Sequence, residues 1–156
     1  MKKFIIILLI SIGIAQAQDE LAKVVYDLTT KGLANFELKV LKGIVANKAH
    51  YEGSLRELDV VVVIHGGAYK FFTKDPSIHP KFKDDKVLVD TYKSLAKRIK
   101  SMADTYDVEF LMCGAAMAKN KLKAKDIYSF VKIIPNSTIG LIDKQNEGYA
   151  YIPIKD

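Results

Sequence analysis

The sequence predicts an α/β fold, a three-layer α/β/α sandwich built on a mostly parallel sheet of about five strands. Three observations carry this. Apolar residues switch repeatedly along the chain between the spacing of a strand and the spacing of a helix, the pattern of successive βαβ units. Val60-Val61-Val62-Val63-Ile64 is an unbroken β-branched run, as a strand covered on both faces of a parallel sheet requires. Two strand-like segments end abruptly on glycine, in His65-Gly66-Gly67 and in Cys113-Gly114, where a chain must turn out of the sheet.

The first element is not part of the fold. Lys2 and Lys3 form a positive start, residues 4–14 are almost all apolar, and Ala15-Gln16-Ala17 offers small residues for cleavage, which is the make-up of a secretory signal peptide. The run is roughly half of the 20 or so apolar residues that a spanning helix needs. No cysteine follows it to carry a lipid. The expected product is a periplasmic or secreted chain, residues 18–156, cleaved after Ala17 and left without a stable membrane anchor. Its length suits one domain.

Within that chain Lys23-Val24-Val25-Tyr26 reads as a strand, and Leu33, Phe36, Val40, Leu41, Ile44 and Val45 make an apolar stripe at helical spacing over residues 31–48. Residues 58–64 form the buried strand, 68–72 a short helix, and 73–86 a polar loop with Pro76, His79 and Pro80. Tyr92, Leu95, Ala96, Ile99, Met102 and Ala103 mark a second amphipathic helix, followed by a strand over 107–113. Ala115-Ala116-Met117-Ala118-Lys119 consists of good helix formers, so a helix is expected to start at Ala115. Residues 131–134 read as a fourth strand, 137–146 as a helix capped by Asn136 or Ser137, and 148–154 as the last strand.

The formal net charge is +6, and cleavage removes the two charges of Lys2 and Lys3. The remaining lysines are scattered, without the aromatic-interleaved basic stripe of a single-strand binder. No nucleic-acid partner is expected. No Gly-x-Ser-x-Gly elbow, phosphate loop or His-Glu-x-x-His helix is present.

The chemistry gathers at two strand ends, because open α/β sheets bind ligands outside the carboxyl ends of their strands. Cys113 is the single cysteine, so no intramolecular disulfide forms. An unpaired cysteine in an exported chain is either a reactive thiol or a small apolar core residue. At a helix start its thiolate would be favoured by free N–H groups and the helix dipole, and Gly114 would leave room for a ligand. Lys119, Lys121, Lys123 and Lys125 either raise the local positive potential or form a solvated surface; their period of two forbids a single helix face. His65 is a candidate base or proton donor that could pair with Cys113, or a hydrogen-bonded strand-end residue. One Cys and one His are too few for structural zinc, and copper would need Met112 and Met117 as well. No metal and no cofactor are expected.

Val61-Val62-Val63-Ile64-His65-Gly66-Gly67, Phe110-Leu111-Met112-Cys113-Gly114, and the tail Ile139-Gly140-Leu141-Ile142 with Gln145-Asn146-Glu147-Gly148-Tyr149-Ala150-Tyr151-Ile152 together resemble the DsrE/DsrF-like family, in particular its small exported members. The resemblance covers nearly the whole mature chain. It implies a three-layer sandwich, a homotrimer or homohexamer, and a cysteine that carries a persulfide, the role Cys113 would inherit. Its partners would be small sulfur species or a sulfur donor or acceptor protein. His65 would act with Cys113, and Gly66, Gly67 and Gly114 would line the substrate position. The relay proteins of the family work in the cytoplasm, whereas this chain carries an export signal, and its 73–86 loop is long. The alternative function is a noncatalytic oligomeric protein that binds a small anion or a protein partner, with Cys113 structural.

Overall fold

The computed structural model describes residues 21–156; the expected signal peptide and its cleavage position lie outside the described residues. Five parallel strands form one sheet: β1 (Ala22–Leu28), β2 (Leu58–Ile64), β3 (Val108–Cys113), β4 (Lys132–Ile134) and β5 (Ala150–Ile154). Their order is β4-β3-β2-β1-β5. The expected α/β architecture and strand number are therefore those of the structure. No helix among the described residues is long and apolar enough to cross a membrane.

The strand order follows from right-handed crossovers. From β1 to β4 each step moves one place in the same direction, so those connections share a face. The first is a continuous helical stretch of α1 (Leu33–Phe36), a π-helical segment (Glu37–Lys42) and α2 (Gly43–Glu52); the second contains α3 (Lys86–Asp104). Their apolar stripes, including Phe36, Val40, Ile44, Leu95 and Ile99, close the main core against Val60, Val62, Ile64, Phe110 and Met112. The chain then returns across the whole sheet to β5, and α4 (Ser137–Asn146) lies on the other face, over Val25, Val61, Val63 and Leu111. Burial of β2 on both faces accounts for its unbroken apolar run. Met112 and Met117 both belong to the main core.

Two elements differ from the sequence reading. The loop after the 68–72 helix stops earlier than expected, because Asp85 caps α3 by accepting from the Leu88 amide at 3.2 Å, a signal the polar surroundings hid. The helix expected from Ala115 does not form. Gly114–Ala116 is one 3₁₀ turn, followed by turns through Lys121, whose φ is +56°. Burying Met117, Leu122 and Ile127 in the main core requires this irregular path, and that packing overrides the helix propensity of the alanines.

Candidate functional site at the end of β3

Cys113 closes β3 at a place the topology singles out. The connection leaving β3 runs over the main-core face, where Met117, Leu122 and Ile127 are buried, whereas the one leaving β4 passes over the opposite face as α4. Chains that diverge from neighbouring strands open a crevice at their carboxyl ends, the usual ligand position in such sheets. The thiol sits at this divergence. It is only 5% exposed, so of the two alternatives left open by the sequence the burial of a core residue is met, with the sulfur held under the turn that replaces the expected helix.

Four donor groups face the sulfur. Burial pushes the Cys113 thiol up, but the Tyr69 hydroxyl, the Ser137 amide, the Ser137 hydroxyl and the Ala116 amide outweigh it and hold the thiol below its ordinary value. The Tyr69 hydroxyl also donates to the Cys113 carbonyl at 2.5 Å. It has a single proton, so it serves the carbonyl or the sulfur at any one time. The Ser137 and Ala116 donors are not divided in this way. Proximity to Cys113 and burial in turn raise the Tyr69 phenol above its ordinary value, burial being the larger cause.

Ser137 is the first residue of α4, so a helix start does reach the sulfur, though a different one from that expected. Asn136 caps it, accepting from the Ile139 amide at 2.9 Å, and the first-turn amides carry the positive end of the helix dipole. Gly114 makes the approach possible. A Cβ there would lie 2.9 Å from the Ile134 carbonyl oxygen, and the next amide, of Ala115, donates to the Pro135 carbonyl at 3.1 Å. The absent side chain makes room for the chain leading into α4.

His65 follows Ile64, whose register partner is Met112, so it lies at the end of the strand beside that of Cys113. Its ring is committed elsewhere. Nε2 is 2.5 Å from Asp27 Oδ1, and Asp27 belongs to β1, on the opposite side of β2 from β3. Tyr151 of β5 donates to the other carboxylate oxygen at 2.6 Å, and that bond is the main cause holding its phenol above the ordinary value. Among the described residues no hydrogen bond joins His65 to Cys113. With Nε2–H held by the carboxylate, Nδ1 is the nitrogen left to accept or give a proton. Asp27 and Tyr151 were not legible as partners, since they come from strands far apart in sequence; the one hint is an acid inside the apolar run Val24-Val25-Tyr26-Asp27-Leu28.

Gly66 and Gly67 pack against the end of β1. Gly66 has a φ of +59°, which glycine tolerates best. The Gly67 amide donates to the Thr29 carbonyl at 2.9 Å, and a Cβ on Gly67 would stand 2.7 Å from that of Lys31. A separate cleft of about 490 Å³, bordered by Glu52, Glu57, Asp59 and Asp107, lies at the opposite end of the sheet and contains neither Cys113 nor His65.

Comparisons with known proteins fit this geometry. Over 155 residues the chain is 28% identical to an uncharacterized protein of Aquifex aeolicus, an alignment covering 98% of this chain and 64% of that relative. It thus spans less than two thirds of the relative's length. A solved structure of a protein of unknown function from Methanobacterium thermoautotrophicum is similar in fold, with a TM-score of 0.57 at 17% identity, over 85% of this chain and 98% of that one. The DsrE/DsrF-like family model matches residues 15–154, nearly the whole described chain, and the protein belongs to the DsrE/DsrF-like family.

Proposed function

We propose that the protein is an exported persulfide carrier or sulfurtransferase in which Cys113 carries the sulfur. The observation that carries this reading is the set of donors that meets the Cys113 sulfur at the divergence of β3 and β4, the Tyr69 hydroxyl first and then the Ser137 and Ala116 groups, which together lower the thiol. A structural core cysteine needs no such donors, and apolar burial alone would raise it. In the loading step the Cys113 thiolate attacks a sulfane sulfur of a polysulfide. The new S–S bond forms as the old one breaks, and its electron pair leaves on the shortened polysulfide. Delivery reverses this on an acceptor thiolate, and the Cys113 sulfur leaves with the pair, stabilised by the same donors that lowered its pKa.

In this reading His65 supplies or removes a proton through Nδ1 by way of a water, a role supported by Asp27 holding the opposite nitrogen. Small sulfur species or a sulfur donor or acceptor protein are the partners, in the periplasm or outside the cell. Assembly into a trimer or hexamer is part of the same proposal. Ile133, Ile139 and Ile142 are 44%, 43% and 50% exposed around the start of α4, an apolar surface beside the sulfur.

A second reading, a noncatalytic binding protein with Cys113 structural, is favoured by the 5% exposure of that residue. Transfer of sulfur from polysulfide to cyanide separates the two. Turnover by the mature protein that is lost in Cys113→Ser supports the carrier; equal rates for both proteins place the binding reading first.

A further inference from the structure

We propose that the cleft between the 73–80 and 121–126 segments is a binding site for a multiply charged oxyanion of the phosphate or sulfate class. The cleft has a volume of about 370 Å³, and Lys74, Lys121, Lys123 and Lys125 all line it. The two-residue spacing that forbids a helix face brings three of these lysines to the cleft, because this part of the chain runs in turns and irregular backbone with one three-residue 3₁₀ turn, Ala124–Asp126. Lys74 faces them from the other loop.

None of these four ammonium groups has a salt-bridge partner among the described residues. Two carboxylates, Asp75 and Asp126, also border the cleft and keep their negative charge, so the four lysines leave it net positive. Asp75 Oδ1 accepts from the Ser77 amide at 3.0 Å and from its hydroxyl at 2.5 Å, and Asp126 Oδ2 accepts from the Lys123 amide at 2.9 Å. The four ammonium groups outnumber the two carboxylates and still repel one another across this concave surface, and a low-dielectric wall focuses the net positive field. A multivalent anion relieves that repulsion, whereas single chloride ions do so weakly.

The walls are held in place without the anion. His79, 6% exposed, stacks on Phe82 with ring centroids 4.4 Å apart. Its Nε2 lies 3.2 Å from the Lys121 carbonyl oxygen and its Nδ1 accepts from the Lys81 amide at 3.3 Å, which ties one loop to the other. Thr73 pairs with Ile127 in an antiparallel bridge, and the Lys74 ammonium donates to the Lys125 carbonyl at 2.8 Å, leaving two of its protons for a ligand. A preorganised cleft avoids the ordering cost that a pair of free lysine-bearing loops would incur. The site does not depend on the sulfur chemistry, because Cys113 is not among its lining residues.

Calorimetric titration of the mature protein with pyrophosphate, phosphate, sulfate and thiosulfate, against sodium chloride at matched ionic strength, tests the site. Pyrophosphate should bind saturably with a Kd below about 1 mM. Lys121→Ala with Lys123→Ala should weaken it by about tenfold or more, and Lys74→Gln, from the other loop, should weaken it independently. Lys39→Ala with Lys97→Ala, at exposed lysines outside the cleft, and Cys113→Ser should bind as the parent does. Preference for thiosulfate and sulfate over phosphate would assign a sulfur oxyanion, and the reverse a phosphate. Absence of saturable heat above the chloride baseline, or an equal loss in the Lys39/Lys97 variant, would overturn the proposal.

Discussion

Ser137 and Cys113, 24 positions apart in sequence, meet at the carboxyl edge of the sheet, where both the amide and the hydroxyl of Ser137 favour the Cys113 thiolate. Ser137→Ala removes the hydroxyl and keeps the amide and the Asn136 cap. The pH profile of Cys113 alkylation in the folded parent should have its midpoint below the ordinary thiol value of about 8.5, and in the variant the midpoint should move up. Covering of the sulfur lowers the absolute rate by the fraction of time it is open, and with reagent dilute enough that opening is not limiting the rate still follows the thiolate fraction. An identical midpoint in folded parent, variant and denatured chain would remove the role of Ser137.

Gly114→Ala tests the close passage beside the sulfur. The added methyl would stand 2.9 Å from a backbone oxygen, that of Ile134, which cannot rotate away as a side chain could. We expect a loss of about 1–3 kcal/mol, the usual cost of overpacking, in chemical denaturation. Gly140→Ala is the contrast, since the close neighbour of its methyl would be the flexible Cδ1 end of Ile134, with Val63 at an ordinary contact distance, and it should cost less. Equal stability for Gly114→Ala and the parent would mean that β4 yields freely.

The Asp27–His65 pair yields a kinetic test. His65→Ala and Asp27→Ala should each slow sulfur release from loaded Cys113 by about tenfold or more, the low end for a lost proton-transfer group or its support, while loading changes little. Loading starts from a thiolate and needs no proton transfer, whereas release begins with an acceptor thiol whose proton His65 takes to form the attacking thiolate. Single-turnover mixing of persulfidated protein with a thiol acceptor measures release. Unchanged release in both variants would confine the pair to holding β1 and β2 together.

Self-association should be visible by light scattering on the mature protein. A mass at or above a trimer is expected at micromolar concentration, and Ile139→Lys with Ile142→Lys, at exposed positions of α4, should shift it toward monomer without lowering helix content. A parent that is monomeric at that concentration would contradict the assembly.

The elements most legible in sequence are those whose residues answer to one local rule. Val60 to Ile64 could only suit a strand buried on both sides, and the α3 stripe through Leu95, Ile99 and Met102 has one period throughout. The site was half legible. Cys113 and His65 stand out because glycine follows each at a strand end, but what acts on them comes from elsewhere in the chain. Tyr69, Ala116 and Ser137 converge on the sulfur from three segments, and His65 is held by Asp27 of β1, which Tyr151 of β5 holds in turn. The local rule failed at Ala115 to Lys119, where helix formers lie in a turn because Met117 and Leu122 must reach the core.

The central claim is that Cys113 takes up sulfane sulfur, and the most direct measurement is the intact mass of mature protein after incubation with polysulfide under native conditions. The folded parent should gain about 32 mass units per sulfur atom, reversed by a reducing thiol, and Cys113→Ser should gain none. A Cys113 that remains unmodified until the protein is denatured would contradict the account and leave a structural cysteine in its place.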